Sequence, residues 1–335
     1  MGGSHFFATS EGVFYHKMFC SVTKFDDLSH LKTEAEQKYY FCFEFFVCRR
    51  CRAELGTVWF LKKGYKMKIK GNSILITGGA SGIGRIMGRM ALEKGARCLI
   101  IWDINESSIA ATEQEFSVLG KVKGYRVDVS NAEAVAAAYK QSVAECGDVD
   151  IVINCAGVVT GNKTFDEQSV GDIQRTMRIN AEAPMLVALQ ALPDMLKRNK
   201  GHICNIASAA GMLSNPKMSV YAASKWAVIG WSDSVRIELK QMRSRVRFTT
   251  VAPYYINTGM FDGVRSRVFP ILKPEKTSRK ILRAIEHDTN FKGIPFGFHF
   301  IRFCQFLLPS SWFDKILGDW FGIYSTMDNF TGRKS

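Results

Sequence analysis

"SILITGGASGIG", residues 73–84, opens with an apolar run and closes in glycines. Ser73 to Thr77 carry the aliphatic and β-branched side chains of a buried strand. Gly78, Gly82 and Gly84 follow, where the strand ends and a helical pattern begins. Glycines at such a turn let the backbone fold tightly and approach a pyrophosphate. The helix N-terminus then offers free N–H groups and the positive end of its dipole. The spacing is G-x-x-x-G-x-G rather than G-x-G-x-x-G, and glycine turns after strands are common in their own right.

The same alternation continues downstream. "CLIIWD", "KGYRVDV", "IVINCAG" and "HICNIAS" read as further strands, with helical stretches between them. Strands alternating with helices predict an α/β, Rossmann-type chain with a doubly wound parallel sheet and right-handed crossovers. "CLIIWD" ends at Asp103, 19 residues after Gly84. An acid at the end of a second strand can accept hydrogen bonds from ribose hydroxyls, and it repels a 2′-phosphate. No basic residue lies between Gly78 and Gly82 to hold that phosphate. The expected cofactor is therefore NAD, with NADP disfavoured. The competing reading of Asp103 is a turn residue or a helix N-terminal acid.

A second stretch, "NPKMSVYAASKWAVIG" at residues 215–230, places Tyr221 and Lys225 four residues apart. On a helix both project from one face. The pair is either a solvated helix face or a phenol set beside an ammonium.

The motifs together resemble the short-chain dehydrogenase/reductase family. "TGGASGIG" resembles its T-G-x-x-x-G-x-G loop, and "DVS" at Asp128 to Ser130 its adenine-contacting segment. "NCAG", Asn154 to Gly157, resembles its N-N-A-G with Cys155 in place of the second asparagine. Asn180, Ser208, Tyr221 and Lys225 match its Asn-Ser-Tyr-Lys set in order. The resemblance runs from about Met67 to at least Gly259. It departs at "PYYINTGMF", where Pro253 and Thr258 are kept but Tyr254 stands where the family often has glycine. That run, and the tail "FGIYSTMDNFTGR" at residues 321–333, are similar to the branch containing retinol dehydrogenases and lipid-droplet hydroxysteroid dehydrogenases.

The resemblance implies specific roles. Tyr221 is the general acid/base, Lys225 favours its phenolate and holds the nicotinamide ribose, and Ser208 bonds the substrate oxygen. Asn180 holds a water that links Lys225 to solvent. The implied cofactor contacts are Thr77, Gly78, Ser81, Gly82, Ile83, Gly84, Asp103, Asp128, Val129, Asn154, Ala156, Gly157, Pro253, Ile256 and Thr258, with Tyr221 and Lys225. Each residue has a plainer reading as a cap, turn or packing residue. The resemblance also implies a homodimer or homotetramer built through helices at roughly 132–146 and 170–198.

The chain has 335 residues, a net charge of +14 and 47% hydrophobic residues, enough apolar content for a core. The basic residues are scattered and no nucleic-acid module stands out, so a soluble, cytoplasmic basic enzyme without a nucleic-acid partner is expected. A basic run, "KQMRSRVRF" at residues 240–248, reads as a solvated helix end, with an acidic carrier protein as the competing partner. Nine cysteines at irregular spacing point to a reducing compartment. "CRRC", Cys48 to Cys51, is a lone weak motif. The six histidines show no ligand spacing, so no metal site is expected. No run of eighteen uncharged apolar residues suggests a membrane span.

Residues 1–66 lack periodicity and motifs, and the regular pattern begins at Met67. The expectation is an upstream extension, with an anchor or partner-binding arm as the alternative; N-terminal sequencing that began before Met67 would overturn the former. The catalytic domain is expected at 67–260 and a substrate lid with an apolar C-terminal extension at 261–335. Pro270 and Pro274 break the lid, and a helix runs from Glu275 with Ile281, Leu282 and Ile285 on one face. Phe303, Phe306 and Leu307 repeat at helical spacing in the aromatic segment that follows. That segment is read as core or a dimer contact, as the wall of a lipophilic alcohol or carbonyl site, or as a peripheral membrane contact with Arg302 and Lys315 near lipid phosphates.

Overall fold

The computed structural model describes residues 67–332 apart from 161, 268 and 321. The expectations for residues 1–66, including the Cys48–Cys51 motif, lie outside the described residues. Seven strands form one sheet: β1 (Ser73–Thr77), β2 (Cys98–Asp103), β3 (Val122–Arg126), β4 (Ile151–Asn154), β5 (His202–Ile206), β6 (Arg247–Pro253) and β7 (Phe291–Ile294). All pairings are parallel, in the order β3-β2-β1-β4-β5-β6-β7. The helices are α1 (Gly82–Glu93), α2 (Glu106–Phe116), α3 (Ala132–Cys146), α4 (Val170–Met177), α5 (Ala183–Lys197), α6 (Ser219–Gln241), α7 (Pro274–Glu286), α8 (Gly297–Leu307) and α9 (Ser310–Phe313).

Strand side chains alternate between faces, and here both faces are buried. Leu75, Ile100, Trp102 and Val152 pack with Val135 of α3 and Val187 of α5. Their neighbours Ile74, Ile76, Ile101 and Ile153 pack on the other face with Met87 of α1 and Ile281 of α7. This two-sided burial explains why the strands read as continuous apolar runs.

The strand order reverses at β1, with β2 and β3 running out on one side and β4 to β7 on the other, so the switch point lies between β1 and β4. Their C-terminal ends align, Thr77 opposite Asn154, and Asn154 lies opposite Asn205 of β5. Such a switch point opens a crevice at the carboxyl ends of the strands. At the opposite end, buried Asp150 is bonded by Arg97, Arg198 and Lys200 at 2.9–3.3 Å. The edge away from the crevice is thus held by a charge network.

Several expected boundaries shift. β3 ends at Arg126, so residues 127–129 of "KGYRVDV" lie beyond the strand. β4 ends at Asn154, and the Cys-Ala-Gly that follows belongs to a loop. The expected long helix over 170–198 is interrupted by a π turn at Arg178–Glu182. The short β7 has a glycine in its middle and no alternation, and the sequence reading did not include it.

Candidate active site

A cavity of about 330 Å³ opens over the carboxyl ends of β1 and β4. Its floor is the loop from β1 into α1. Gly78 and Gly82 have positive φ, +66° and +53°, in the left-handed region that favours glycine. A Cβ on Gly78 would stand 3.0 Å from the Ala156 Cα, and one on Gly84 would overlap the Gly78 carbonyl. The loop therefore brings bare backbone to the cavity. Thr77 sits behind it, where its Oγ1 accepts from the N–H groups of Cys155 (3.0 Å) and Ala156 (3.1 Å). That pair of bonds ties the β4 loop to the glycine loop.

Asp103 forms the next wall. Its Oδ2 accepts from the Ala80 N–H at 3.1 Å, and its Oδ1 from Ile104 and Asn105 at 2.8 and 3.2 Å. The carboxylate is held in place by backbone donors and still faces the cavity. Its Oδ2, with a single donor, keeps capacity for a hydroxyl donor. Asp128 lines the cavity alongside, its Oδ1 accepting from the Ser130 N–H (2.9 Å) and hydroxyl (2.7 Å).

Ser208, Tyr221 and Lys225 meet on the far wall. Ser208 follows β5 and caps a short 3₁₀ turn by accepting from the Ala210 N–H at 3.2 Å. Tyr221 and Lys225 share one face of α6, and the Lys225 Nζ lies 5.7 Å from the Tyr221 ring centre. Lys225 donates to the Ile206 carbonyl at 3.0 Å. Burial lowers its ammonium to about 8, with a small opposing push from Cys155. Burial pushes the Tyr221 phenol above its ordinary value, against a hydrogen bond with Ser208 that lowers it. Desolvation is thus the main influence on the phenol, and the Lys225 ammonium bonds the Ile206 carbonyl. Cys155, in the family's asparagine position, faces the same space with its thiol pushed up to about 12 by burial.

Asn180 is buried in the π turn. Its Nδ2 donates to the Val158 carbonyl (2.9 Å) and to Ser224 Oγ (3.2 Å), and its Oδ1 accepts from the Val158 N–H at 2.8 Å. It braces the loop after β4 rather than facing the cavity. Asn154 is also behind the wall, donating to Asn205 Oδ1 at 2.8 Å. Of the expected residues, Thr77, Asn154 and Asn180 support the cavity from within, while the others line it.

The sequence reading missed Arg175, Ile179, Val158 and Phe261, which also line the cavity. Phe261 meets the Tyr221 ring edge-on, 5.9 Å between centres. Beyond it lies a smaller cavity of about 30 Å³, walled by Tyr254, Tyr255, Phe261 and Phe298 and reached by Ser208. The C-terminal tail closes this cavity through Ile323 and Thr326. Buried Met327 packs with Tyr221, Tyr255 and Met218. Tyr254, the departure from the family pattern, meets Tyr255 and Phe269 edge-on and Phe298 at a tilt, and donates to Ser266 Oγ at 2.8 Å. Its unusual residue type was the visible signal for this wall.

Residues 72–268 match the short chain dehydrogenase family model. The chain is 34% identical over 276 residues to mouse epidermal retinol dehydrogenase 2, covering 80% of this chain and 88% of that protein. It is 33% identical over 261 residues to human estradiol 17-beta-dehydrogenase 11, covering 77% and 86%. Among solved structures, levodione reductase superposes with a TM-score of 0.62 at 21% identity, over 68% of this chain and 97% of that one. The sheet carries a glycine loop, a cavity-facing acid and a Ser-Tyr-Lys wall, and the family match and these relatives show that this chain belongs to the short-chain dehydrogenase family of alcohol/carbonyl oxidoreductases, in the branch of the retinol and hydroxysteroid dehydrogenases.

Proposed function

We propose that the protein is an NAD-dependent oxidoreductase that interconverts an alcohol and its carbonyl on a lipophilic, retinoid-, steroid- or fatty-alcohol-like substrate, with Tyr221 as general acid/base. The observation that carries this is the single cavity that Asp103 shares with Ser208, Tyr221 and Lys225. The residues fit a dinucleotide. Gly78 and Gly84 let the loop after β1 pack tightly against Ala156 and the start of α1, so that its backbone lines the cavity where a pyrophosphate would lie, and the Asp103 carboxylate suits ribose hydroxyls while opposing a 2′-phosphate. Ile256 and Thr258 on the loop after Pro253 suit the nicotinamide end. When bound, the dinucleotide supplies the hydride acceptor or donor.

The chain supplies position and proton movement. Ser208 donates a hydrogen bond to the substrate oxygen and stabilises charge developing there. Tyr221 takes the alcohol proton, or returns it in reduction. Lys225, lowered to about 8, is poised to exchange a proton near neutral pH and to bond ribose hydroxyls. Asn180 in the π turn holds the loop beside Lys225 and carries the proposed water link to solvent. The aromatic wall and the names of the relatives support an apolar substrate.

The test is turnover of a panel of retinoids, steroids and long-chain alcohols, followed by absorbance of the reduced cofactor with NAD and with NADP. Turnover only with NADP would refute the reading of Asp103 and favour an NADPH-dependent carbonyl or 3-oxoacyl reductase. Dinucleotide binding without turnover on any member would favour a catalytically idle binding protein.

We also place the enzyme in the cytoplasm, at a lipid surface. Phe303, Leu307, Trp312 and Trp320 are exposed on the C-terminal helices, where aromatic and aliphatic groups can enter an interface. Flotation with liposomes tests this; full recovery in the unbound fraction contradicts it. Exposed Leu189 on α5, with Trp226 and Ile237 on α6, supports a homodimer or homotetramer, and a monomer mass in sedimentation contradicts it.

A further inference from the structure

Tyr221 stands in the first turn of α6, and that turn has no side-chain cap. The helix begins at Ser219, and Met218 before it offers no side-chain acceptor to the first N–H groups. Helix ends fray, and a missing cap leaves the first turn less firmly held. Tyr221 is only the third residue of the helix.

Ser224 ties this turn down through two bonds. Its hydroxyl donates to the Tyr221 carbonyl at 2.6 Å, and its oxygen accepts from the Asn180 Nδ2 at 3.2 Å. A serine that bonds back along its own helix is common. Here the same oxygen is also held by a second element, the π turn at Arg178–Glu182. Backbone groups fix the direction of the Asn180 amide. The Val158 N–H can only donate, and it meets Oδ1 at 2.8 Å; the Val158 carbonyl can only accept, and it meets Nδ2 at 2.9 Å. The second Asn180 N–H is then the one that meets Ser224. Both Ser224 and Asn180 are buried, so neither can turn to bulk solvent if the other is lost.

We infer that Ser224 is a positioning residue for Tyr221. It carries the fixed geometry of the Asn180 π turn into the first turn of α6, and so sets where the phenol stands relative to Ser208 and Lys225. This rests on the reading of Tyr221 as general acid/base. Proton transfer is sensitive to such placement, since a shift of about 1 Å can cost about a hundredfold in rate.

The same helix holds an internal control. Ser232 is also buried, and it accepts from the Asn205 Nδ2 at 2.8 Å. It lies eight residues further on, about 12 Å along the helix axis. Ser224→Ala and Ser232→Ala therefore each strip one buried asparagine N–H of its acceptor, but only the first does so beside Tyr221.

The test uses the full chain and an apolar alcohol that the wild type turns over with NAD. Both variants should lower the thermal midpoint by similar amounts and keep NADH affinity within about twofold. Only Ser224→Ala should lower kcat, by about tenfold or more, with the KM for the alcohol within about threefold; Ser232→Ala should keep kcat within about twofold. Asn180→Ala combined with Ser224→Ala should lose no more kcat than Asn180→Ala alone, within about twofold, because both remove one shared bond. If Ser224→Ala does not fold, Ser224→Cys takes its place, with a weak donor and acceptor and a loss of about threefold expected. A kcat in the Ser224 variant equal to wild type overturns the inference. Equal kcat losses in the Ser224 and Ser232 variants overturn it too, as general damage to α6. Losses that multiply in the double variant overturn the route through Asn180. Turnover in Tyr221→Phe near the wild-type value, or no turnover of any alcohol by the wild type, refutes the reading of the site itself, and this inference falls with it.

Discussion

Gly84 and Gly263 look alike locally, since a Cβ on either would overlap a backbone carbonyl. They serve different constructions. Gly84 keeps α1 tight against the glycine loop, inside a frame of parallel strands paired residue by residue. Gly263, with φ +84°, lets the loop after β6 pass under Asn329 of the tail. That region has no sheet. The Thr331 N–H bonds to the Asp262 carbonyl at 2.9 Å, Asn162 Nδ2 to the Met327 carbonyl at 2.7 Å, and Lys217 to Asp328 at 3.0 Å. On the proposed reading, the nucleotide end is built from backbone geometry, and the substrate end from side chains and a strap of single bonds.

The sharpest way to break this division is to cross the two glycines. Gly84→Val forces α1 away from the loop at a cost of about 3 kcal/mol, so dinucleotide affinity should fall at least about a hundredfold. Titration of protein fluorescence with NADH checks this. Gly263→Val should instead leave NADH affinity alone and raise the KM for an apolar alcohol about tenfold, by unseating the tail. If Gly263→Val weakened NADH as much as Gly84→Val does, the two regions would not be separable.

A smaller effect sharpens the division at the junction itself. Lys225 belongs to both regions, and burial lowers it from 10.5 to about 8. Below pH 8 its charge is buried in the folded protein and solvated in the unfolded one. The penalty, about 3 kcal/mol at most, is fully present there. Between about 8 and 10.5 the folded state sheds its proton first, so wild-type stability rises with pH. Lys225→Met should therefore be more stable than wild type at neutral pH, less so above pH 10, and inactive throughout. Urea denaturation at several pH values measures it. A variant less stable at neutral pH would show that the bond to Ile206 outweighs desolvation.

The weakest expected effect belongs to the strap. Lys217 and Asp328 are partly to well exposed, and such pairs contribute about 0.5 kcal/mol. Lys217→Ala should shift thermal unfolding by no more than a degree or two. A larger shift would make the tail a structural element of the domain rather than a cover on it.

The same division decides what the sequence made legible. β1 and β2 were readable because both faces are buried and their central residues, Ile74 to Ile76 and Leu99 to Trp102, are a continuous apolar run. The Tyr221–Lys225 pair was readable because one helix turn fixes its geometry. Asp103 was readable because a strand end has few places to point. The tail was not: Thr326 meets Asn215 across 111 residues, and no local period records such a contact. β7 hid behind four residues with a glycine inside. The inward turn of Thr77, Asn154 and Asn180 was also hidden, since a motif names a residue and not the direction of its side chain.

On the proposed mechanism, Tyr221 moves the proton while the glycine loop and Asp103 hold the cofactor. The most direct measurement compares wild type and Tyr221→Phe in one experiment, with NADH affinity by fluorescence and turnover of an apolar alcohol with NAD. NADH affinity should stay unchanged within about twofold, and turnover should fall about a thousandfold. Turnover in Tyr221→Phe within about tenfold of wild type would contradict the mechanism.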